Sequence, residues 1–131
     1  MVTRLREAGC DVRVLSREGH ESADGIECVT GDLLENNGIE AAVSGVSAIV
    51  HCASTKKGDV DATRDLVRAA KTLPQAPYLV FVSIVGVDRI DAGYARSKLD
   101  TERVVSESGL PWTTLRVTHF YDFLLSGQRR W

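Results

Sequence analysis

The chain has 131 residues, of which 44% are hydrophobic and 26% are charged, and its formal net charge is −2. This length allows one domain at most, and the composition is ordinary for a soluble globular protein. The near-neutral charge argues against a nucleic-acid surface or a membrane-binding patch, so we expect neither partner. No stretch is long and apolar enough to span a membrane, and the N-terminus lacks the plan of a signal peptide.

The cysteines are three in number, Cys10, Cys28 and Cys52, and they lie far apart in the sequence. No CxxC pair or His/Cys spacing indicates a metal site. An odd number of scattered thiols favours a reducing compartment over a disulfide framework. The sequence therefore predicts a cytoplasmic protein without a bound metal.

Short apolar segments rich in β-branched residues alternate along the chain with segments of helical periodicity. The predicted strands are Cys10–Leu15, Glu27–Thr30, Ala48–Ala53, Tyr78–Val82 and Trp112–Val117. The predicted helices are Val2–Ala8, Ile39–Val43, Asp59–Leu73, the segment from Tyr94 to Gly109, and the tail Phe120–Leu125. This alternation predicts an α/β fold with a doubly wound parallel sheet, Rossmann-like, in which Trp112 and Phe120 fill the core.

Ligands of an open parallel sheet bind beyond the carboxyl ends of its strands, so polar residues at those ends are site candidates. Ser16 and Arg17 follow the first predicted strand. In dinucleotide folds an acid at this position takes a ribose 2′-hydroxyl, whereas an arginine accommodates a 2′-phosphate. A charge-assisted bond of this kind contributes about 1.5–3 kcal/mol, which favours NADP(H) over NAD(H). An arginine that is merely solvated is an equally open interpretation.

Two further strand ends carry candidates for cofactor contact. Asp32 and Leu33 follow the second predicted strand, where they would border an adenine, although an aspartate here can also cap a helix. Cys52, Ala53 and Ser54 lie at the end of the third predicted strand and are small enough for a cofactor backbone to pass closely. Small residues are common at strand ends, so this pattern is weakly specific.

The stretch after the fourth predicted strand carries groups suited to proton transfer. Ser83 lies at the strand end, and Tyr94 and Lys98 stand four residues apart, on one face of the following helix. A phenol beside a cationic lysine can give a proton to a substrate carbonyl, while hydroxyl groups hold the substrate oxygen. The alternative is a half-buried aromatic residue beside a solvated lysine.

These segments together resemble the NmrA-like atypical short-chain dehydrogenase/reductases, which are NAD(P)H-binding Rossmann proteins. The motifs that carry the resemblance are VRVLSR at 12–17, GDL at 31–33, VSIVGVD at 82–88, YARSKL at 94–99, WTTLR at 112–116 and FYD at 120–122. The resemblance implies that Arg17 lies near the adenosine phosphate, Asp32 near adenine, and Ala53 and Ser54 near a cofactor ribose. It also implies that Ser83, Tyr94 and Lys98 correspond to the Ser, Tyr and Lys of reducing members, with Lys98 contacting the nicotinamide ribose.

The chain departs from the family pattern at both ends. The family opens with a strand and a G-x-x-G-x-x-G loop that would precede Val2, and it continues past its sixth strand into a substrate-binding region. We therefore interpret residues 1–131 as one partial Rossmann domain that lacks both. Since strand 1 lies at the centre of the strand order 3-2-1-4-5-6, its neighbours would face a gap. We expect weak nucleotide binding, marginal stability, and exposed sheet edges open to self-association.

Three functions fit this sequence. The first is hydride transfer between NADP(H) and a small organic substrate. The second is a non-catalytic NADP(H) sensor that binds a protein partner, and the third is an inactive, truncated product. The sequence does not identify the substrate or the oligomeric state.

Overall fold

The computed structural model describes residues 1–19, 21, 25–54 and 58–118, and within them helices and strands alternate as predicted. The strands are β1 (Val12–Ser16), β2 (Ile26–Thr30), β3 (Ala48–His51), β4 (Tyr78–Ile84) and β5 (Trp112–Val117). The helices are α1 (Val2–Glu7), α2 (Ile39–Val43), α3 (Asp59–Lys71) and α4 (Gly93–Ser106). Every strand pair is parallel, which confirms the Rossmann-like α/β class. The predicted helix Phe120–Leu125 lies outside the described residues.

The described strands form two sheets rather than one. β1 pairs with β2, and β3, β4 and β5 pair in that order. β1 and β3 do not pair with each other, and both line an open slot with a volume of about 1400 Å³. The predicted gap is therefore present between these strands. Self-association through their edges stays a prediction.

The larger hydrophobic cluster lies between the β3-β4-β5 sheet and the helices α3 and α4. Alternate residues of β4 are buried on the side that faces α4. The members of this cluster are Val67, Ala70, Leu79, Phe81, Val105 and Leu110. The expectation that Trp112 fills the core is wrong, since its side chain is 41% exposed. Its strand, β5, has a neighbouring strand on one side only among the described residues, so fewer groups cover it.

The short helix α2 joins the two sheets through a second hydrophobic cluster. Ile39 and Val43 of α2 pack against Leu66 and Ala69 of α3. Ile49 of β3 is in contact with both clusters. Because α2 also contacts β1, it connects the two-stranded sheet to the three-stranded sheet across the slot.

Arg13 of β1 binds the C-terminal end of α2. Its guanidinium donates hydrogen bonds to the carbonyl oxygens of Ala41, Ala42 and Ser44, at the end of that helix. It also pairs with Glu27 of β2 at 2.7 Å. A cation is favourable at a helix C-terminus, where carbonyl groups have no partner within the helix. Arg13 thereby holds β1, β2 and α2 together.

We predict that Arg13→Met lowers the free energy of unfolding by about 2 kcal/mol, because it leaves several carbonyl oxygens without their charged donor. Urea denaturation followed by circular dichroism measures the change. Arg64→Met is the matched control, since Arg64 forms an exposed pair with Asp61 on α3. We expect less than about 0.5 kcal/mol from that change. Equal losses in the two variants would contradict the role assigned to Arg13.

Candidate cofactor site

The carboxyl ends of β1, β2 and β3 surround a cavity of about 320 Å³. The structure brings together here the residues predicted from the ends of the first three strands, apart from Cys52, which lines the open slot instead. These residues are Ser16, Arg17, Asp32, Leu33, Ala53 and Ser54. The lining is completed by Leu15, Gly31, Leu34, His51, Asp59 and Ala62. Lys98, which was also predicted to contact the cofactor, is not among the lining residues.

Asp32 is held in place by its own loop. Its Oδ1 accepts a hydrogen bond from the backbone N–H of Leu34 at 2.8 Å, and its backbone pairs in both directions with Asn37. Gly31 lets this loop close, since a Cβ there would lie 2.4 Å from the carbonyl oxygen of Asn37. Asp32 precedes α2 by several residues and does not cap it. It closes an Asx turn and still faces the cavity.

Asp59 is a cavity residue that the sequence analysis named only as the first residue of a predicted helix. The N-cap of α3 is Gly58, in the left-handed region at φ 91°, and Asp59 is the first helical residue. The Asp59 side chain instead accepts a hydrogen bond from Ser54, with 3.0 Å between Ser54 Oγ and Asp59 Oδ2. The sequence could have placed Asp59 at the site, because the first residue of the helix that follows β3 must lie near the carboxyl end of that strand.

His51 is a second cavity residue that sequence reasoning left without a role in the site. It is buried, and its Nε2 lies 2.9 Å from Thr63 Oγ1, whose hydroxyl donates to the carbonyl oxygen of Asp59. Since that hydroxyl has a single proton, the imidazole must be the donor in the bond to Thr63. Burial, assisted by the charge of Lys98, lowers the pKa of His51 to about 4, so the ring is neutral at pH 7.

A row of side chains links this cavity to the predicted Tyr-Lys pair. The His51 and Phe81 ring centroids are 5.3 Å apart, and Lys98 Nζ lies 4.9 Å from the Phe81 centroid. The same Nζ lies 5.8 Å from the Tyr94 ring centroid and 3.5 Å from the carbonyl oxygen of Val82. Tyr94 and Lys98 are therefore neighbours, as the four-residue spacing predicts.

Lys98 is buried, with an exposed fraction of 3%, and not solvated as the alternative interpretation required. Burial lowers the pKa of Lys98, and the nearby groups Asp59 and Cys52 partly oppose this shift. Burial also raises the pKa of the Cys52 thiol, while Lys98 acts in the opposite direction. Lys98 therefore interacts electrostatically with Asp59, although Lys98 itself does not line the cavity.

Ser83 occupies a different position from the one its predicted role requires. Its side chain is 1% exposed, beneath α4, and its hydroxyl has no hydrogen-bond partner among the described residues. Burial would raise the pKa of the nearby Glu102 carboxyl, but its hydrogen bonds from Arg116 lower that pKa. Ser83 is therefore covered in this structure, whereas Tyr94 is 40% exposed.

Within residues 1–19, 21, 25–54 and 58–118, no cluster of His, Cys, Asp or Glu could hold a metal ion. In the same part of the chain, no helix combines the length and the apolar character needed to cross a bilayer. Cys10, Cys28 and Cys52 all lie in the described part of the chain, and none of them forms a disulfide bond.

The parallel strands and the cavity at their carboxyl ends define a nucleotide-binding α/β protein of the Rossmann type. The family of NAD(P)H-binding proteins matches residues 1–129, so the chain belongs to that family. This match confirms the NAD(P)H-binding Rossmann class that the family resemblance implied.

Individual relatives agree with this membership. A Streptomyces griseus (4-alkanoyl-5-oxo-2,5-dihydrofuran-3-yl)methyl phosphate reductase is 31% identical over 128 residues, which are 94% of this chain and 44% of that protein. The fold is similar to that of a Staphylococcus aureus nucleoside-diphosphate-sugar epimerase, with TM-score 0.76 and 17% identity over 94% of this chain and 47% of the other. It is also similar to a Citrobacter triphenylmethane reductase complexed with NADP(H), with TM-score 0.66 and 20% identity over 76% and 36% of the two chains. The chain thus spans less than half the length of each.

We predict a pH dependence of stability that originates at His51. In the unfolded chain this ring binds a proton near pH 6.5, but in the folded chain only near pH 4, so acid favours unfolding between these values. His51 should cost the folded state about 3 kcal/mol of unfolding free energy as the pH falls from 7 to 4. Urea denaturation at several pH values, with His51→Gln as the comparison, isolates this contribution from the carboxylates. Identical pH profiles for the two proteins would contradict it.

Proposed function

We propose that this chain is the NAD(P)H-binding part of an oxidoreductase that transfers hydride between NADP(H) and a small organic substrate. The observation that carries the proposal is the convergence of Ser16, Arg17, Asp32 and Ser54 on one cavity from three different strands. Family membership supports nucleotide binding, and the reductases among the relatives support the reaction class. The absence of a disulfide bond among Cys10, Cys28 and Cys52 fits a reducing, cytoplasmic setting.

The cavity suits the adenosine end of the cofactor on the side of β1 and β2. Leu33 and Leu34 offer apolar surface for an adenine ring, with Asp32 beside them. Arg17, at the end of β1, supplies the positive charge that a ribose 2′-phosphate requires. The volume of about 320 Å³ is at the lower end for ligand pockets, and therefore fits part of a dinucleotide. The remaining part would extend towards Ser54 and Tyr94.

The chemistry of the cofactor is hydride transfer, and the protein supplies binding, orientation and a proton. Tyr94 is the exposed member of the Tyr94–Lys98 pair, so it is the group available to exchange a proton with a substrate oxygen. Lys98 Nζ lies behind the Tyr94 ring, and the nearby Asp59 carboxylate favours its charged form against the effect of burial. Ser83, being covered by α4, would need a local rearrangement before it could hold a substrate oxygen.

A non-catalytic NADP(H) sensor is the second candidate function. The burial of the Ser83 hydroxyl and of Lys98 favours the sensor function. A sensor needs the cofactor cavity, but it does not need these polar groups to be open to a substrate. The two functions share the cavity and differ in whether Tyr94 takes part in turnover.

We predict that the protein binds NADPH about ten- to a hundredfold more tightly than NADH, the range that a charge-assisted bond to a phosphate supplies. Arg17→Asp should reverse the preference, because a carboxylate accepts from the 2′-hydroxyl and repels the 2′-phosphate. Isothermal titration with each nucleotide measures both affinities. Arg64→Asp is the control, since it makes the same change in net charge on the exposed side of α3. Equal affinities in the parent protein would refute the NADP(H) assignment.

We further predict that Tyr94→Phe lowers turnover about a hundredfold or more, as the loss of a general acid does, and changes NADPH affinity less than about twofold. NADPH oxidation at 340 nm with a panel of carbonyl, alkene and quinone acceptors provides the rate. Undiminished turnover would make Tyr94 structural. No turnover in the parent protein, combined with tight NADPH binding, would favour the sensor.

A further inference from the structure

Arg116, near the end of β5, binds two acidic side chains that belong to different segments. Its Nε and Nη2 donate hydrogen bonds to the two carboxylate oxygens of Glu102, on α4, at 2.9 and 2.7 Å. Its Nη1 donates to Asp88 Oδ1 at 3.3 Å, in the connection 85–92 between β4 and α4. Arg116 and Asp88 each end one of the sequence motifs that carry the family resemblance, so those two motifs meet at this contact. Neither residue lines the cofactor cavity.

The pair formed by Arg116 and Glu102 differs from an ordinary surface ion pair, which contributes little. Its two hydrogen bonds run side by side, the geometry that fixes an arginine most firmly against a carboxylate. The Glu102 side chain is only 13% exposed. Burial and the charge of Asp88 would raise the pKa of Glu102, but the hydrogen bonds from Arg116 lower it. Removal of the guanidinium would therefore leave a poorly solvated carboxylate near a second one, and the two would repel each other.

Glu102 lies on the side of α4 that carries the pair of Tyr94 and Lys98. These three residues follow one another at intervals of four, which places them in a row along the helix. Tyr94 is at the beginning of this row, one residue after α4 begins at Gly93. Arg116 therefore holds the row through Glu102 and holds the entry to the helix through the connection 85–92.

We infer that Arg116 is a positioning residue, which holds the entry and one side of α4 so that Tyr94 is placed for proton transfer. Arg116 contacts α4 and the connection before it, not the cavity, so its effect on the reaction passes through Tyr94. When the guanidinium is lost, repulsion between Glu102 and Asp88 moves the connection 85–92 away from α4. The inference rests on the proposed function, in which Tyr94 exchanges a proton with the substrate.

The first test measures NADPH oxidation by Arg116→Met, by Tyr94→Phe and by the double variant. Arg116→Met should lower kcat about tenfold, since even a small displacement of a reacting group slows a reaction by that much or more. Its affinity for NADPH, measured by isothermal titration, should change less than about twofold, because Arg116 lies outside the cavity. The double variant should be no slower than Tyr94→Phe, because displacement of a ring without its hydroxyl has no further effect.

Two further variants test the cause of the loss. Arg103→Met is the matched control, since Arg103 pairs with Asp100 at 3.0 Å on the exposed surface of the same helix, and it should keep the kcat of the parent. Arg116→Lys keeps a positive charge near the two carboxylates, so it should be faster than Arg116→Met. Equal losses in Arg103→Met and Arg116→Met, or in Arg116→Lys and Arg116→Met, would overturn the inference. So would losses of Arg116→Met and Tyr94→Phe that multiply in the double variant.

A measurement without turnover separates this inference from the proposed function. The chain has three tyrosines, so incorporation of 3-fluorotyrosine gives three ¹⁹F signals, and Tyr94→Phe identifies that of Tyr94. Arg116→Met should shift this signal and leave that of Tyr78, at the other end of β4, unchanged. An unmoved Tyr94 signal, or equal shifts at Tyr94 and Tyr78, would overturn the inference. If the parent protein oxidises NADPH with no acceptor while the Tyr94 signal shifts as expected, the oxidoreductase function is refuted and the positioning of Tyr94 by Arg116 stands.

Discussion

The connection made by α2 is the constraint on which the site depends. Half of the cavity belongs to β1 and β2, the other half to β3 and α3, and the two sheets share no strand pairing among the described residues. Their relative position is fixed by Ile39 and Val43 of α2 and by Arg13, which binds the end of that helix. Each buried aliphatic side chain contributes about 1.5–3 kcal/mol, so a few contacts carry the arrangement. The cavity keeps its shape only while α2 stays in place.

The buried residues Lys98 and Asp59 determine the electrostatic environment next to the cavity. Lys98 is enclosed by aromatic rings and a backbone carbonyl, and the Asp59 carboxylate lies near it. Burial and, to a smaller extent, the charge of Lys98 disfavour a second cation here, so the pKa of His51 is low and its ring is neutral. The arrangement concentrates one positive and one negative charge between the cavity and Tyr94, where a cofactor's reactive end would lie.

Much of the fold followed from local patterns in the sequence. The helix Ile39–Val43 and the strand Trp112–Val117 have the predicted bounds, because apolar periodicity and flanking glycine or proline mark them. The candidate residues at the ends of the first three strands followed from a rule about parallel sheets, and they meet as that rule requires. Predicting these site residues required only the position of each residue relative to the end of its strand.

The burial and the hydrogen bonds of several side chains could not be predicted from the sequence, because they depend on contacts between segments that are far apart in the chain. Trp112 was expected in the core, but the exposure of its side chain is decided by which neighbours cover β5. Ser83 has the right residue type at the right strand end, yet α4 covers its hydroxyl. Asp59 begins a predicted helix, and its hydrogen bond from Ser54 becomes visible only in the structure. The role of Arg13 likewise requires knowing that α2 ends beside β1.

The most direct test of the account is a titration of the ¹⁵N-labelled protein with NADPH, followed by nuclear magnetic resonance. The account predicts that amide signals of Arg17 and Asp32, beside one sheet, and of Ser54 and Asp59, beside the other, shift together and saturate with a single dissociation constant. This measurement detects weak binding as readily as tight binding. Shifts confined to one sheet, or a spectrum that NADPH leaves unchanged, would contradict a nucleotide site that spans the slot between β1 and β3.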